Sequence, residues 1–255
     1  MSDALRVERR DQTLVITIDR PKARNAIDLA VAEQIAAALD LLDADSDLAV
    51  GILTGAGGTF SSGMDLKAFL ATGDRPEIEG RGLAGLTLTP PAKPILAAVE
   101  GYALAGGCEL ALACDLVVAG EGAVFGLPEV KRGLIAGSGG LLRLPRRIPP
   151  GIAMEYALTG EPMPAAEAYR WGLVNRLTPA GQALEAACAL AAVIAANGPL
   201  AVRTTKRLIT EAAGTTGDGA WERQNALLGE VLASADAREG AAAFVEKRPP
   251  VWTGA

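Results

Sequence analysis

Short apolar runs, each followed by a glycine-rich segment that opens a helix, constrain the fold of this chain more than any other feature. Residues 48–54 (LAVGILT) form one such run, and the segment 55–63 (GAGGTFSSG) follows it directly, with a short helix expected from Met64 or Asp65. Residues 95–99 repeat the arrangement, with Gly106-Gly107 opening an Ala- and Leu-rich helix that ends near Cys114. Apolar runs of this length fit strands buried on both faces. Residues 115–119 and 123–125 read as further strands, and from Gly137 onward the pattern is almost entirely helical. Strands alternating with helices, then helices alone, predict an α/β core with a helical C-terminal part.

At the N-terminal side, residues 5–9 and 13–19 alternate around Asp11-Gln12 and read as a hairpin that Pro21 ends. Asp28 has the chemistry of an N-cap for a helix reaching about Asp43, with Ile35, Leu39 and Leu42 on one face. Residues 72–82 are polar and broken by Gly73, Pro76, Gly80 and Gly82, the best candidate for a mobile loop. Pro249-Pro250 and Trp252 mark an extended tail.

Composition limits the chemistry. The 255 residues are 50% hydrophobic and 21% charged, too apolar for disorder and enough for a core that needs neither disulfides nor a structural metal. There is no histidine, which excludes Ser–His and Cys–His relays, His-ligated zinc and a His general base. Acid–base work falls to carboxylates, Lys, Tyr, Cys or the backbone. A net charge of −6 argues against nucleic-acid binding, which leaves a basic footprint. Cys108, Cys114 and Cys188 form no C-x-x-C pair and predict buried thiols in a reducing compartment. The first twenty residues mix acids and bases, so no secretory signal is expected, and no charge-free apolar stretch predicts a membrane span.

Three segments carry chemistry. In 101–120 (GYALAGGCELALACDLVVAG), Asp115 sits at a helix-to-strand junction where it can reach water or a cap. Glu109 has only apolar or glycine neighbours on its helix, Ala105, Gly106, Leu112 and Ala113, so it is either on a narrow wet edge or buried with a raised pKa. Gly106-Gly107 at the helix start can bring outward-pointing N–H groups close to a ligand, the construction of a backbone oxyanion hole, or can be a plain turn. The 55–69 segment offers a second such loop and matches neither a phosphate loop nor a dinucleotide fingerprint. Gly137-Ser138-Gly139-Gly140 also fails the dinucleotide pattern and the G-x-S-x-G elbow. Glu129, after Pro128, is a second carboxyl for a His-free acid–base pair, although spacing alone favours a surface Glu paired with Lys131 or Arg132.

Taken together, DRPKARNAI (19–27), TFSSGMDL, KPILAAVEGYALAGGCELALACDLVVAG, FGLPEVKRGLIAGSGGLLRL and the tail FVEKRPPVW resemble the crotonase (enoyl-CoA hydratase/isomerase) superfamily over nearly the whole chain. GLAGLT, GGLLRLPRRIPP, RWGLVNR and EKRPPVW look most like its carnitinyl-CoA dehydratase branch. The resemblance implies a spiral of ββα units over 1–181 with the acyl-CoA site, and a helical C-terminal trimerisation region over 182–255 that builds a homotrimer or a hexamer. It implies an acyl-CoA thioester substrate, with coenzyme A part of the substrate and no separate cofactor or metal. By the same resemblance Met64 and Gly106 supply the oxyanion-hole amides, Glu109 and Glu129 are the catalytic pair, and Lys22, Arg24, Asp65, Leu66, Lys67 and Lys247 line the substrate. The expected activity is hydration of a 2-enoyl-CoA, with a crotonobetainyl-CoA hydratase or an enoyl-CoA isomerase as alternatives, in the cytoplasm, with no nucleic-acid or membrane partner. Met64 and Ala105 stand where the family usually has Ala and Gly; both substitutions spare the backbone amides.

Overall fold

The computed structural model describes residues 4–212 and 218–254. The chain advances in turns of one long strand, one short extended segment and one helix. The first holds β1 (Leu5–Arg10), β2 (Thr13–Ile18), a 3-10 turn at Pro21–Ala23 and α1 (Leu29–Ala44). The second holds β3 (Val50–Gly55), residues 61–64, α2 (Leu66–Thr72) and a small hairpin of β4 (Glu77–Ile78) and β5 (Gly82–Leu83). The third holds β6 (Ile95–Val99), β7 (Tyr102–Leu104) and α3 (Gly106–Ala113). The fourth holds β8 (Leu116–Gly120), β9 (Val124–Gly126), a 3-10 turn at Pro128–Arg132, α4 (Gly140–Arg147) and α5 (Pro150–Thr159). Then come β10 (Met163–Pro164), α6 (Ala165–Trp171), β11 (Arg176–Thr178) and four helices, α7 (Ala183–Ala195), α8 (Pro199–Ala212), α9 (Asp218–Ala233) and α10 (Ala235–Glu246).

The long strands make one sheet in the order β1-β2-β3-β6-β8-β11, parallel except for the β1–β2 hairpin. The short segments make a second row: Ile27 bridges Met64, Ser61 bridges Ala103, β7 pairs with β9, and β9 pairs with β10. This is the ββα spiral that the sequence led us to expect. It stacks the helix-opening loops of successive turns beside one another.

Both faces of the central strands β2, β3, β6 and β8 are covered, which is why these carry no polar alternation, whereas the edge strand β1 is largely exposed and the edge strand β11 is only partly buried. Ile35, Leu39 and Leu42 of α1 pack with Ile16, Ile18 and Leu53 on one face. On the other, Val15, Val50, Ile52, Leu96 and Val118 meet Ala183, Ala187 and Ala191 of α7. Each fully buried Leu, Ile or Val contributes roughly 1.5–3 kcal/mol. The alanine stripe lets α7 lie close on the sheet, so that helix belongs to the core packing as well as to the helical C-terminal part.

Several details depart from the sequence reading. Residues 72–82 hold the β4–β5 hairpin, and β7, β10 and β11 lie in stretches read as loop or helix. Cys108 and Cys114 are buried as expected, but Cys188 is half-buried against Arg10. Asp115 accepts from Ile95 N at 2.7 Å and from Lys206 Nζ at 2.7 Å, fixing α8 to the start of β6. Among the described residues, no single helix is long and apolar enough to cross a membrane.

Candidate active site

The site grows from the segment 60–65, held between two others. On one side Ile27 N donates to Gly63 O at 2.8 Å and Asp65 N to Ile27 O at 2.8 Å. On the other, Ser61 N donates to Tyr102 O at 2.8 Å and Leu104 N to Ser61 O at 3.0 Å. Asn25, fully buried, props the loop from beneath: its Nδ2 donates to Ala56 O at 2.9 Å, and its own carbonyl accepts from Ser61 Oγ at 2.8 Å. Asn25 sits at φ +53°, a left-handed conformation that Asn tolerates better than most residues.

This arrangement leaves two amides over. Among the described residues, Met64 N–H and Gly106 N–H donate to nothing. They are close together: a Cβ built on Gly106 would stand 3.6 Å from Met64 N, and one on Gly63 would stand 2.7 Å from Gly106 N. Gly106 N also opens α3, where the helix dipole adds positive potential. Two converging, unpaired N–H donors are what a developing oxyanion needs.

Ala105, which turns the chain into α3, has φ +50° and ψ −127°. A β-carbon is strained there, at a cost of order 1–3 kcal/mol. Ala105→Gly should therefore stabilise the protein by about 1 kcal/mol, after the entropy that glycine adds to the unfolded chain. Chemical denaturation read as a shift in midpoint checks it; an unchanged or lower midpoint would show that the turn is not strained.

One helical turn beyond Gly106 lies Glu109, 3% exposed, which resolves the choice between wet edge and burial. Its Oε1 accepts from Ser138 N at 2.7 Å and Gly140 N at 2.9 Å. Burial raises its pKa above the usual carboxylate range, while the Gly140 and Ser138 amides and the Arg143 charge pull it back only in part. Arg143 in turn donates to the carbonyls of Thr87 and Ser138, bracing the loop that carries those amides. The glycine-rich segment that fits no nucleotide motif thus holds a carboxylate.

Glu129 departs from the surface pairing that spacing favours. Lys131 pairs with Glu161 at 2.6 Å instead, and Oε2 of Glu129 is buried with no hydrogen-bond partner. Burial raises its pKa, and the charge of Glu109 raises it further, so the two carboxyls titrate as a neighbouring pair.

The remaining residues singled out in the sequence lie in two places. Lys22 and Arg24 are exposed beside the loop, with the Arg24 guanidinium 5.9 Å from the Tyr102 ring centre. Asp65 caps α2 by accepting from Lys67 N and Ala68 N, both at 3.1 Å, and pairs with Arg20 at 2.9 Å; Leu66 and Lys67 are exposed on that helix. Lys247 sits at the C-cap of α10, a helix that packs on α9. Sequence reasoning passed over Asn25, Arg143 and the Ser138 and Gly140 amides. The Asn-for-glycine turn at 25 and the two glycines after Ser138 were the available signals.

Residues 8–255 match the enoyl-CoA hydratase/isomerase family. The chain is 43% identical to a carnitinyl-CoA dehydratase of Salmonella typhi, with all of both proteins covered. It superposes on an enoyl-CoA hydratase of Mycobacterium tuberculosis with a TM-score of 0.96 and 59% identity, covering 99% of each chain. A carnitinyl-CoA hydratase of Mycobacterium avium gives 0.79 and 46%, with both chains fully covered. The fold and the matches agree: this chain is an enzyme of the crotonase superfamily. It belongs to the enoyl-CoA hydratase/isomerase family.

Proposed function

We propose that the enzyme adds water across the 2,3 double bond of a 2-enoyl-CoA thioester. One observation carries this reading: Glu109, one helical turn from the unpaired Gly106 amide, has two amides on one oxygen, while Glu129, close enough to feel the Glu109 charge, has a buried oxygen with no partner. The thioester oxygen takes the Met64 and Gly106 N–H bonds, and these strengthen as charge flows onto it. Glu109, with two amides on one oxygen, is suited to act as the ionised base that takes a proton from water as its oxygen bonds to C3. The π electrons move to the thioester oxygen as an enolate. Glu129, which no amide supports at Oε2, is suited to carry the proton that the enolate takes at C2. A double-bond shift needs only one base, so the pair favours hydration over isomerisation. No cofactor is required, since coenzyme A arrives with the substrate.

A second reading, water addition to crotonobetainyl-CoA, draws on the two carnitinyl-CoA relatives, 43% and 46% identical over the whole chain. Loss of enone absorbance across a panel of enoyl-CoA thioesters that includes crotonobetainyl-CoA tests both. Turnover of none of them would overturn the hydratase reading.

Lys22 and Arg24, with Asp65, Leu66, Lys67 and Lys247 as further lining, are proposed to meet the CoA moiety, whose phosphates need local cations on an acidic chain. Replacing Lys22 and Arg24 together with Ala should raise KM several-fold and weaken its salt dependence while kcat holds. An unchanged KM would move the contact elsewhere.

Residues 182–255 are proposed to assemble the chain into a trimer or hexamer. Trp221, Leu232, Phe244 and Val245 on α9 and α10 are between 65% and 86% exposed, apolar surface that a neighbouring subunit would cover. Light scattering should give three or six times the chain mass; a stable monomer at micromolar concentration would sink the idea. A cytoplasmic location is proposed on the same terms, from the free thiols.

A further inference from the structure

A cavity of about 570 Å3 opens at the end of the sheet opposite the glycine loops. Gln12, Ala49 and Pro94, which line it, each precede a parallel strand, whereas the active-site loops follow the C-terminal ends of β3 and β6. The five residues of β6, about 17 Å of strand, separate the two. Residues from the α7–α8 junction and the C-terminal tail complete the walls.

The charged side chains lining the cavity are Lys93 and Arg203, and their hydrogen bonding differs. Lys93 Nζ is committed, donating to Leu42 O at 2.8 Å and Asp45 O at 2.6 Å. Lys206, behind it, is committed to Asp115 and to Lys93 O. Arg203 is half-buried, yet it makes no hydrogen bond or ion pair among the described residues. The nearby acid whose charge it feels, Asp236, already accepts from Thr253 N at 2.7 Å, Thr253 Oγ1 at 2.9 Å and Gly254 N at 2.9 Å. A half-buried guanidinium with all its donors unused calls for an acceptor. The walls beside it are apolar: Pro94, Val202, Pro250 and the Trp252 ring, which is fixed by Nε1 donating to Ala196 O at 2.8 Å.

We infer that this cavity is a second binding site, for a small organic monocarboxylate whose carboxylate pairs with Arg203 and whose apolar body lies against Trp252. The planar fork of Arg203 matches a carboxylate, and the volume falls within the range of small-ligand sites. Asp236 close by disfavours a doubly charged phosphate, so a monoanion with an apolar body fits better than inorganic phosphate. Such a ligand would join the tail to the strand ends and brace the helical C-terminal part.

Hexanoate is the probe, with hexanol and inorganic phosphate beside it, read by quenching of Trp252 fluorescence in a Trp171→Phe/Trp221→Phe background and by thermal shift. Saturable quenching by hexanoate, with Kd of about 1 mM or tighter, is expected. Binding should weaken about tenfold or more in Arg203→Gln and be partly kept in Arg203→Lys. It should persist undiminished in the presence of a saturated acyl-CoA at saturating concentration, which fills the acyl pocket and so separates the two sites. Loss of hexanoate binding under that competitor would place it in the acyl pocket and overturn the second site. Unaltered binding in Arg203→Gln, equal binding of hexanol, or no saturable quenching would each overturn the site. Should Arg203→Gln fail to fold, Arg203→Lys and the hexanol comparison decide. Phosphate competing as well as hexanoate would overturn the monocarboxylate assignment.

Discussion

Glu109→Gln and Glu129→Gln should each lower kcat for hydration by about 100-fold or more while leaving KM near its wild-type value. The amide keeps size and hydrogen bonding but cannot take or give the proton. Wild-type kcat/KM should be bell-shaped with pH. Glu109 must be ionised and burial holds its pKa up, so the rate falls as pH drops through that raised value. Glu129 must hold a proton, and burial and then the Glu109 charge hold its pKa up too, so the rate falls as pH rises through it. Stability follows with a definite sign. A carboxyl whose folded pKa lies above its unfolded one stabilises the fold at pH below the unfolded value, and that contribution is lost as pH rises through the folded value. At alkaline pH, above its raised folded pKa, an ionised Glu129 with an unpartnered oxygen opposes folding. Glu129→Gln should therefore raise Tm by about 2–4 °C there, even as turnover collapses. Near-wild-type turnover in either variant would remove the two-carboxyl mechanism.

The parts of the site that were legible in the sequence are those fixed by local chemistry. Asp28 caps α1 through Val31 N because an N-cap needs only its own first turn. The apolar runs became β3 and β6 because a strand covered on both faces cannot alternate. What was not legible depends on partners distant along the chain. Glu129 stands two residues from Lys131, yet Lys131 reaches Glu161, thirty residues away, and burial follows from how the fourth turn stacks on the third. Ser138 and Gly140 look like a failed nucleotide motif until the fold brings α3 beneath them. The strand β11 has three residues inside a helical context, and its pairing with β8 is what defines it. Asn25 illustrates the middle case. Its identity suits a positive φ, but nothing local says that its amide would support a loop more than thirty residues further on.

The oxyanion hole can be tested without touching either carboxyl. Gly63 has φ +87°, and a Cβ there would stand 2.7 Å from Gly106 N and 3.1 Å from Leu104 O. Gly63→Ala sets a methyl group against the amide that must donate to the thioester oxygen. It should lower kcat/KM by about 100- to 1,000-fold, the scale of losing one preorganised donor. Some of that loss could come from the backbone, since alanine at positive φ costs of order 1 kcal/mol of stability. Gly58 separates the two effects. It lies in the same loop at φ +74°, but a Cβ there would meet nothing within 4 Å. Gly58→Ala should carry a similar stability cost and keep kcat/KM within about threefold of wild type, because it pays the same conformational penalty without reaching the amides. Equal losses in the two variants would mean that loop strain, and not obstruction of Gly106 N–H, governs the rate. A Gly63→Ala enzyme within tenfold of wild type would place the oxyanion donors somewhere other than Met64 and Gly106.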